Sequence, residues 1–284
     1  MPEMTIQQAM ANARSRLNNS DARFDALLLA EHAFGLSKTE LRLQAERMVD
    51  PAEYEALVCR RAAGEPLQYL LGEWEFFGLP FAVGPGVLIP RPETEMLVER
   101  ALDFLKNCDA AEPVVFDLCA GTGCIGLSVA HHCPNAQVYL LERSNEAMPY
   151  LTQNAAKYSN AHVVQGDLFE PDGTPNGVIS TLSVHVILSN PPYIATGELA
   201  GLSIEVQNEP SLALDGGADG LRFYRVLAEI WQQRLMPGGM LAMECGEGQA
   251  RDIAALFAKN AGRAEILQDF NQIERVVTIV DSNS

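Results

Sequence analysis

Several features that would narrow the function are missing from this chain of 284 residues. Its six cysteines form no CxxC pair and no histidines stand at zinc-finger spacing, so we expect no metal site. No apolar run approaches the roughly 20 residues that span a bilayer. The first residues contain no basic segment followed by an apolar core, so we expect no signal peptide. Scattered single thiols in such a chain indicate a reducing, cytoplasmic compartment.

Positive charge is also scarce. The chain has 20 Lys and Arg against 37 Asp and Glu, which gives a net charge of -17. Phosphate backbones are repelled by such a surface overall, which argues against a nucleic-acid partner. A local basic patch on an acidic protein would still allow one. The hydrophobic fraction of 48% is normal for a globular protein.

The first part of the chain has the apolar spacing of helices. In DARFDALLLAEHAFGL a stripe recurs at helical spacing, made of Phe24, Leu27, Ala30 and Phe34. Gly35 is a helix stop, and Ser37 with Glu40 fits a capping box for the next helix. No catalytic constellation occurs here. We therefore predict a helical domain over residues 1–72 that serves as a lid or as a partner-docking module.

Glycines and prolines then punctuate short aromatic runs, which predicts a β-hairpin or two extended segments as a linker over residues 73–92. Strand-like runs alternate with helical ones in the rest of the chain, residues 93–284. The runs are PVVFDL, AQVYLLE, HVVQGD, VHVILSN, GGMLAMECG, AEILQDF and RVVTIV. Such alternation predicts an α/β fold with a parallel sheet between helices. The last two runs are too close for a crossover helix and must form an antiparallel hairpin. This is the layout of a Rossmann-like class I methyltransferase sheet.

Ligands of such sheets bind beyond the carboxyl ends of the strands. The first end carries DLCAGTGCIG, in which Gly121 and Gly123 frame a tight turn and let a ligand approach the backbone. GTGCIG also matches the dinucleotide-binding fingerprint, so a nicotinamide or flavin enzyme is an alternative. Asp117 would repel a pyrophosphate. It suits a cationic ligand such as the amino acid end of S-adenosylmethionine.

The next two strand ends carry groups suited to a nucleoside. Glu142 closes the second strand, where acidic residues hydrogen-bond ribose hydroxyls. Asp167 closes the third and could accept a hydrogen bond from an adenine amino group. Leu168 or Phe169 would cover the ring. Each feature alone is common on strand ends and cores, but their order along the chain favours a shared site.

The fourth strand end carries SNPPYI. Asn190 offers a side-chain acceptor, and Pro191 and Pro192 lack N–H donors, so the loop presents two oxygen acceptors, on Asn190 and Pro191. Two acceptors at fixed separation match the two hydrogens of a planar NH₂, and Tyr193 provides a flat surface beside it. Holding both hydrogens can free the nitrogen lone pair for methyl transfer through positioning and preorganised dipoles. The residues leave three substrates open: adenine N6, cytosine N4, or a glutamine or asparagine amide.

The whole chain resembles the peptide chain release factor glutamine methyltransferases. The matching stretches are DARFDALLLAEHAFG, RRAAGEPLQYLLGEWEFFGLPF, VLIPRPETEMLVERAL, DLCAGTG, NPPYI, EPSLALDGGADGLRFYR and ERVV. NPPY is shared with DNA amino-methyltransferases, whereas GEPLQYLLG with LIPRPETE is far more specific. The loop reads CAGTG where many relatives have GTGTG.

The resemblance implies methylation of the N5 amide of glutamine in the Gly-Gly-Gln motif of class 1 release factors, docked with help from the helical domain. It implies an S-adenosylmethionine site lined by Cys119, Ala120, Gly121, Thr122, Gly123, Glu142 and Leu168. The glutamine amide would lie against Asn190, Pro191, Pro192 and Tyr193, with Asn190 bordering both ligands. Two other hypotheses compete: a nucleic-acid amino-methyltransferase with the same loop, and a non-catalytic module that binds S-adenosylmethionine. The roles of Arg91, Glu93 and the segment 204–214 are left open.

Overall fold

A computed structural model describes residues 3–17, 19–170, 182–258 and 262–281. Within these ranges the α-helices are α1 (Ile6–Arg16), α2 (Ala22–Phe34), α3 (Lys38–Leu43), α4 (Ala52–Ala62), α5 (Leu67–Leu71), α6 (Glu95–Leu105), α7 (Cys124–His132), α8 (Met148–Ala155), α9 (Ile204–Gln207), α10 (Arg222–Val226) and α11 (Ala250–Phe257). The strands are β1 (Met4–Thr5), β2 (Met48–Val49), β3 (Glu73–Phe76), β4 (Leu79–Ala82), β5 (Val114–Leu118), β6 (Gln137–Glu142), β7 (Ala161–Gln165), β8 (Val184–Ser189), β9 (Leu235–Glu244), β10 (Gly262–Gln268) and β11 (Glu274–Asp281). None of the described helices is both long and apolar enough to cross a membrane.

The chain divides into two compact units. The first comprises Met1–Glu73 and Ser203–Asn208, and the second comprises Trp74–Leu202 and Glu209–Ser284. In the first unit, helix α2 ends at Gly35, whose φ of 61° is left-handed. Ser37 and Glu40 form the predicted capping box at the start of α3. These local signals therefore set the helix boundaries as the sequence indicated.

The apolar stripe predicted for α2 is wrong at its first position, because Phe24 is 52% exposed. The buried face of the helix instead carries Asp25 together with Ala26, Leu29 and Ala30. The Asp25 carboxylate accepts a hydrogen bond from Arg61 Nε at 2.7 Å, and Arg61 also pairs with Glu205 at 2.7 Å. A buried carboxylate requires such a partner. A pattern of apolar residues cannot show a charge that is buried with its partner.

The second unit is built on a seven-stranded sheet of order β10-β11-β9-β8-β5-β6-β7. Strands β5 to β9 pair in parallel, whereas β11 is antiparallel to both β9 and β10. The predicted C-terminal hairpin is confirmed. Both β6 and β8 pair with β5, so the strand order reverses at β5. In open α/β sheets this reversal marks the ligand-binding crevice.

Helices cover both faces of this sheet. Side chains of α6, α7 and α8 pack with one set of strand residues, and those of α10 and α11 pack with the other. The apolar pattern predicts one helix over the run FYRVLAEIWQQRL. This prediction is wrong, because α10 continues as a π-helical turn (Leu227–Trp231) and a 3₁₀ turn (Gln232–Arg234). Strands β3 and β4 form the hairpin expected between the helical and α/β parts. Its turn residues, Phe77 and Gly78, both have positive φ, as a two-residue type I′ turn requires.

Candidate active site

A cavity opens at the carboxyl ends of β5, β6 and β8, where the strand order reverses. Its wall carries eight of the residues that the sequence singled out: Cys119, Ala120, Gly121, Thr122, Glu142, Leu168, Asn190 and Pro192. Five others are not part of the wall: Asp117, Gly123, Asp167, Pro191 and Tyr193. The structure therefore brings together groups from four strand ends that are up to about 70 residues apart in the chain.

The glycine loop between β5 and α7 is strongly curved. Three of its residues have left-handed backbone, with φ of 65° at Cys119, 55° at Gly121 and 80° at Gly123. A side chain at Gly121 would meet nothing within 4 Å, so this side of the loop is open to a ligand. A side chain at Gly123 would come within 2.6 Å of the Leu151 side chain, so Gly123 is needed for packing. Cys119 holds the same conformation without being glycine, and such strain is concentrated at functional sites.

Glu142 ties this loop to the end of β6. Its Oε2 accepts a hydrogen bond from Gly121 N at 2.8 Å, and its Oε1 accepts one from Ser144 N at 2.7 Å. Each carboxylate oxygen has a second lone-pair direction that these bonds leave open. The side chain lies on the cavity wall. It is therefore placed to accept hydrogen bonds from hydroxyl groups of a ligand.

Asp117 lies behind the loop. Its Oδ2 accepts a hydrogen bond from Gly126 N, in the first turn of α7, at 2.8 Å. A side chain at Gly126 would come within 2.9 Å of Asp117, so this glycine allows the close approach. Oδ1 is buried and has no partner among the described residues. Burial raises the pKa of Asp117 to about 7, the hydrogen bond from Gly126 lowers it, and the nearby Glu142 raises it further. In this geometry Asp117 braces α7, and its contact with a ligand stays a prediction.

At the third strand end, the structure distinguishes three residues that the sequence had considered together as contacts for an adenine: Asp167, Leu168 and Phe169. Asp167 pairs with Arg143 at 3.1 Å and accepts a hydrogen bond from Phe169 N at 3.0 Å. Leu168 is buried on the cavity wall. The Phe169 ring instead packs edge-on against Phe223, with 5.1 Å between ring centroids. Leu168 and Phe223, rather than Phe169, therefore present apolar surface to the cavity.

Asn190 belongs to a hydrogen-bonded chain. Its Nδ2 donates to Thr94 Oγ1 at 3.2 Å, and the Thr94 hydroxyl donates to a Glu244 carboxylate oxygen. Asn190 Oδ1 and the carbonyl oxygen of Pro191 accept no hydrogen bond from any residue that the structure describes. Thr94 and Asn190 are both on the cavity wall. The loop thus keeps the two oxygen acceptors that the sequence predicted.

The backbone of this loop is held by the segment DGGADG. Ile194 N donates to Leu214 O at 3.0 Å, and Gly216 N donates to Ile194 O at 2.8 Å. A side chain at Gly216 would lie 2.7 Å from Tyr193 Cα, and one at Gly220 would lie 2.3 Å from Tyr193 O. The Tyr193 carbonyl also accepts a hydrogen bond from Gln249 Nε2 at 2.9 Å. The two glycines therefore permit the close contact that fixes the Asn-Pro-Pro-Tyr turn.

Sequence reasoning missed part of the cavity wall. Residues that it did not assign to the site, or left undecided, are Gly86, Val87, Leu88, Pro90, Arg91, Thr94, Cys124, Ile125, Leu141, Arg143, Ser144, Ala147, Pro210, Leu212, Ala213 and Phe223. Arg91 pairs with the buried carboxylate of Glu209, which also accepts a hydrogen bond from Ile89 N at 3.0 Å. Four residues of the stretch LIPRPETE, which the sequence singled out, are on this wall: Leu88, Pro90, Arg91 and Thr94. Within the described residues, no cluster of His, Cys, Asp or Glu side chains is suited to a metal ion.

Comparisons with known proteins show which families this chain is similar to and agree with its methyltransferase fold. A family model described as the PrmC N-terminal domain matches residues 8–72, and a methyltransferase small domain model matches residues 94–205. The release factor glutamine methyltransferase of Geobacter sulfurreducens is 40% identical over 264 residues, which covers 90% of this chain and 89% of that protein. That of Moorella thermoacetica is 39% identical over 278 residues and covers 94% and 95%. The human methyltransferase 10 domain containing protein shares the fold, with a TM-score of 0.54, 16% identity, and coverage of 81% of this chain and 98% of that chain.

Proposed function

Because the chain belongs to the family of release factor glutamine methyltransferases, we propose that it methylates class 1 peptide chain release factors and so modulates translation termination. The reaction transfers a methyl group from S-adenosylmethionine to the side-chain amide nitrogen (N5) of the glutamine in their Gly-Gly-Gln motif. One observation carries this proposal: Asn190 and the glycine loop line the same cavity. The proposed location is the cytoplasm, because peptide release takes place on ribosomes there.

The residues on the cavity wall fit S-adenosylmethionine. Gly121 leaves an open side for close approach, Glu142 offers carboxylate oxygens for the two ribose hydroxyls, and Leu168 with Phe223 offers apolar surface for the adenine. Cys119, Ala120, Thr122 and Gly123 complete the loop in this proposal, and Asp167 is proposed to reach the adenine amino group. When bound, S-adenosylmethionine supplies an electrophilic methyl group on a sulfonium.

The substrate amide is proposed to lie against the Asn-Pro-Pro-Tyr turn. Asn190 Oδ1 and the Pro191 carbonyl oxygen accept its two hydrogens, and Pro192 stiffens the turn without adding a donor. Acceptors on both hydrogens pull the nitrogen away from the amide plane, which makes its lone pair available for transfer. The nitrogen becomes acidic after methylation, so no strong base is required beforehand. Neither the Pro191 carbonyl oxygen nor a flat contact from Tyr193 gains support from the cavity, because neither residue is on its wall.

We propose the same division of labour along the chain as the sequence indicated. Residues 1–72 form the release-factor-docking domain, residues 73–92 the hairpin linker, and residues 93–284 the methyltransferase domain. The two family models, over residues 8–72 and 94–205, support this division. The first compact unit also takes in Ser203–Asn208, so this short segment contributes to the proposed docking domain.

The test is a methyl-transfer assay with labelled S-adenosylmethionine and three acceptors: a class 1 release factor, its Gln→Ala variant in the Gly-Gly-Gln motif, and double-stranded DNA. Label is expected in the release factor alone, on the glutamine. Equal labelling of the factor and its variant contradicts the glutamine assignment. Labelling of DNA instead favours a nucleic-acid amino-methyltransferase. Binding of the cofactor without transfer to any acceptor favours a non-catalytic binding module.

A further inference from the structure

The orientation of the Asn190 amide is decided by two residues outside the Asn-Pro-Pro-Tyr turn. Thr94 lies in the 3₁₀ turn Pro92–Thr94 before α6, and Glu244 ends β9. Both side chains are buried, with 2% of Thr94 and 3% of Glu244 exposed. Asn190 Nδ2 donates to Thr94 Oγ1, and the Thr94 hydroxyl donates to Glu244. The chain of bonds therefore has one direction, from the amide to the carboxylate.

This direction follows from elementary hydrogen-bond chemistry. An ionised carboxylate has only acceptors, so the single hydroxyl proton of Thr94 points at Glu244. The Thr94 oxygen is then left as an acceptor, and only the NH₂ end of Asn190 can face it. A hydrogen bond from Asn190 also stabilises the ionised form of Glu244 directly. Asn190 Oδ1 must consequently face the other way, where the structure leaves it without a partner among the described residues.

We propose that Thr94 and Glu244 are positioning residues, which hold Asn190 with its carbonyl oxygen, rather than its NH₂ group, towards the hydrogens of the substrate amide. The inference rests on the proposed function and assigns a role that the sequence motif alone does not contain. If the Asn190 amide were rotated, its NH₂ donors would face the NH₂ donors of the substrate amide. Substrate could then bind nearby, but its nitrogen would not be held for transfer.

The charge on Glu244 makes this arrangement sensitive to pH. Burial raises the pKa of Glu244 to about 7, although hydrogen bonds from Thr94 and Asn190 and the charge of Arg275 lower it, and Glu93 raises it. A protonated Glu244 can donate to Thr94 Oγ1. The Thr94 oxygen then has another donor and no longer requires the NH₂ group of Asn190. The other titratable groups that interact with Glu244 are Cys124, Tyr193, Tyr224 and Cys245. Burial raises the pKa of each, so they stay neutral across this range.

The first test compares Thr94→Val, which removes the hydroxyl at nearly constant shape, with Thr94→Ser, which keeps it. Thr94→Val is expected to lower kcat for release factor methylation about 10- to 100-fold, with unchanged affinity for S-adenosylmethionine and an unchanged melting temperature, and Thr94→Ser should stay within about threefold of the original protein. Equal losses in both variants would assign Thr94 a packing role. Full kcat in a folded Thr94→Val protein would also overturn the proposal.

The second test is the pH profile of kcat. The acid-side fall in kcat near pH 7 is expected to disappear in Glu244→Gln. A fall that persists unchanged in this variant would overturn the role of Glu244.

A third measurement does not depend on methyl transfer. The Asn190 side-chain NH₂ signal, assigned by its loss in Asn190→Asp, is expected to exchange slowly with solvent and at least about tenfold faster in Thr94→Val. Equal exchange in both proteins contradicts the proposed orientation even where no acceptor is methylated. Failure of the original protein to label glutamine, with the slow exchange intact, contradicts the proposed function alone.

Discussion

At the scale of single residues, the turn after β8 presents two oxygen acceptors, one on a side chain and one on the main chain. Asn190 Oδ1 and the Pro191 carbonyl oxygen are both left without protein donors in the described structure. The prolines matter through what they lack, since neither brings an N–H that could compete for these oxygens. Of these two acceptors, only the side-chain oxygen of Asn190 can therefore be removed by a substitution.

Asn190→Ala is expected to lower kcat by roughly 10²- to 10³-fold, as loss of one preorganised group in an active site does. Affinity for S-adenosylmethionine should change little, because the glycine loop and Glu142 remain. Single-turnover methylation and calorimetric titration of the cofactor measure the two effects separately. A collapse of cofactor affinity, with normal transfer from the cofactor that still binds, would contradict the role given to Asn190.

Glu142 is expected to recognise the ribose. Glu142→Gln should weaken binding of S-adenosylhomocysteine about 10- to 100-fold, the range for hydrogen bonds to a charged group. The original protein should also bind the 2′-deoxy or 3′-deoxy analogue more weakly than the parent compound. The Glu142→Gln variant should discriminate much less between the parent compound and its deoxy analogues. Calorimetric titration of all three ligands checks this, and undiminished discrimination in the variant contradicts a ribose contact by Glu142.

At the scale of elements, the segment 214–220 supports the Asn-Pro-Pro-Tyr turn. Gly216 and Gly220 lie so close to the Tyr193 backbone that a Cβ at either would require movement. Gly216→Ala and Gly220→Ala are expected to lower kcat at least about tenfold, because small displacements of reacting groups are costly in rate. Gly197→Ala is the matched control, since nothing lies within 4 Å of its Cβ position and its φ is not positive. Normal activity in both test variants would show that the turn tolerates the displacement.

The first unit has its own support in the buried ion pair of α2 and α4. Arg61→Ala leaves the buried Asp25 carboxylate without a balancing charge, although the hydrogen bond from Asn19 Nδ2 remains, and is expected to destabilise this unit by about 3 to 5 kcal/mol. The neighbouring Arg60 pairs with Glu65 on the surface, and Arg60→Ala should cost less than about 1 kcal/mol. Hydrogen exchange of peptides from α2 and α4 measures both changes. Equal protection in the two variants would contradict the weight given to burial.

At the scale of the whole molecule, the buried acid Asp117 links stability to pH. Its pKa of about 7 in the folded protein lies above the ordinary value of 3.8. The folded protein therefore binds the proton more tightly than the unfolded chain, and this contribution to stability falls as pH rises from about 4 to 7.

Asp117→Asn removes that titration and keeps an acceptor for Gly126 N. Between pH 5 and pH 7.5 the free energy of unfolding of the original protein should decrease by about 2 to 3 kcal/mol relative to the variant, given about 1.4 kcal/mol for each pKa unit. Urea unfolding of both proteins at several pH values tests this. Parallel pH profiles would contradict the raised pKa.

The sequence by itself determined the main fold and eight residues of the cavity wall. Alternating periodicity predicted the parallel strands, and the short connection after AEILQDF predicted the antiparallel end, because both depend on local pattern and chain length. The strand-end positions of Gly121, Glu142 and Asn190 predicted that they would meet, since parallel strands end at one edge of a sheet. Two predictions were wrong because they relied on local pattern alone: Phe24 was placed on the buried stripe of α2, and FYRVLAEIWQQRL was predicted as one helix.

Only the tertiary structure decided which distant groups touch. Thr94 and Glu244 are 150 residues apart and share a hydrogen bond, and no local pattern signals such a contact. The same holds for Arg61, whose charge is balanced from α2 and from the distant α9 segment. Local sequence specifies backbone conformation and burial through short-range forces. The direction of a buried hydrogen bond depends on which partners the whole fold brings within about 3 Å, and for Asn190 those partners decide that the NH₂ end of its amide faces Thr94.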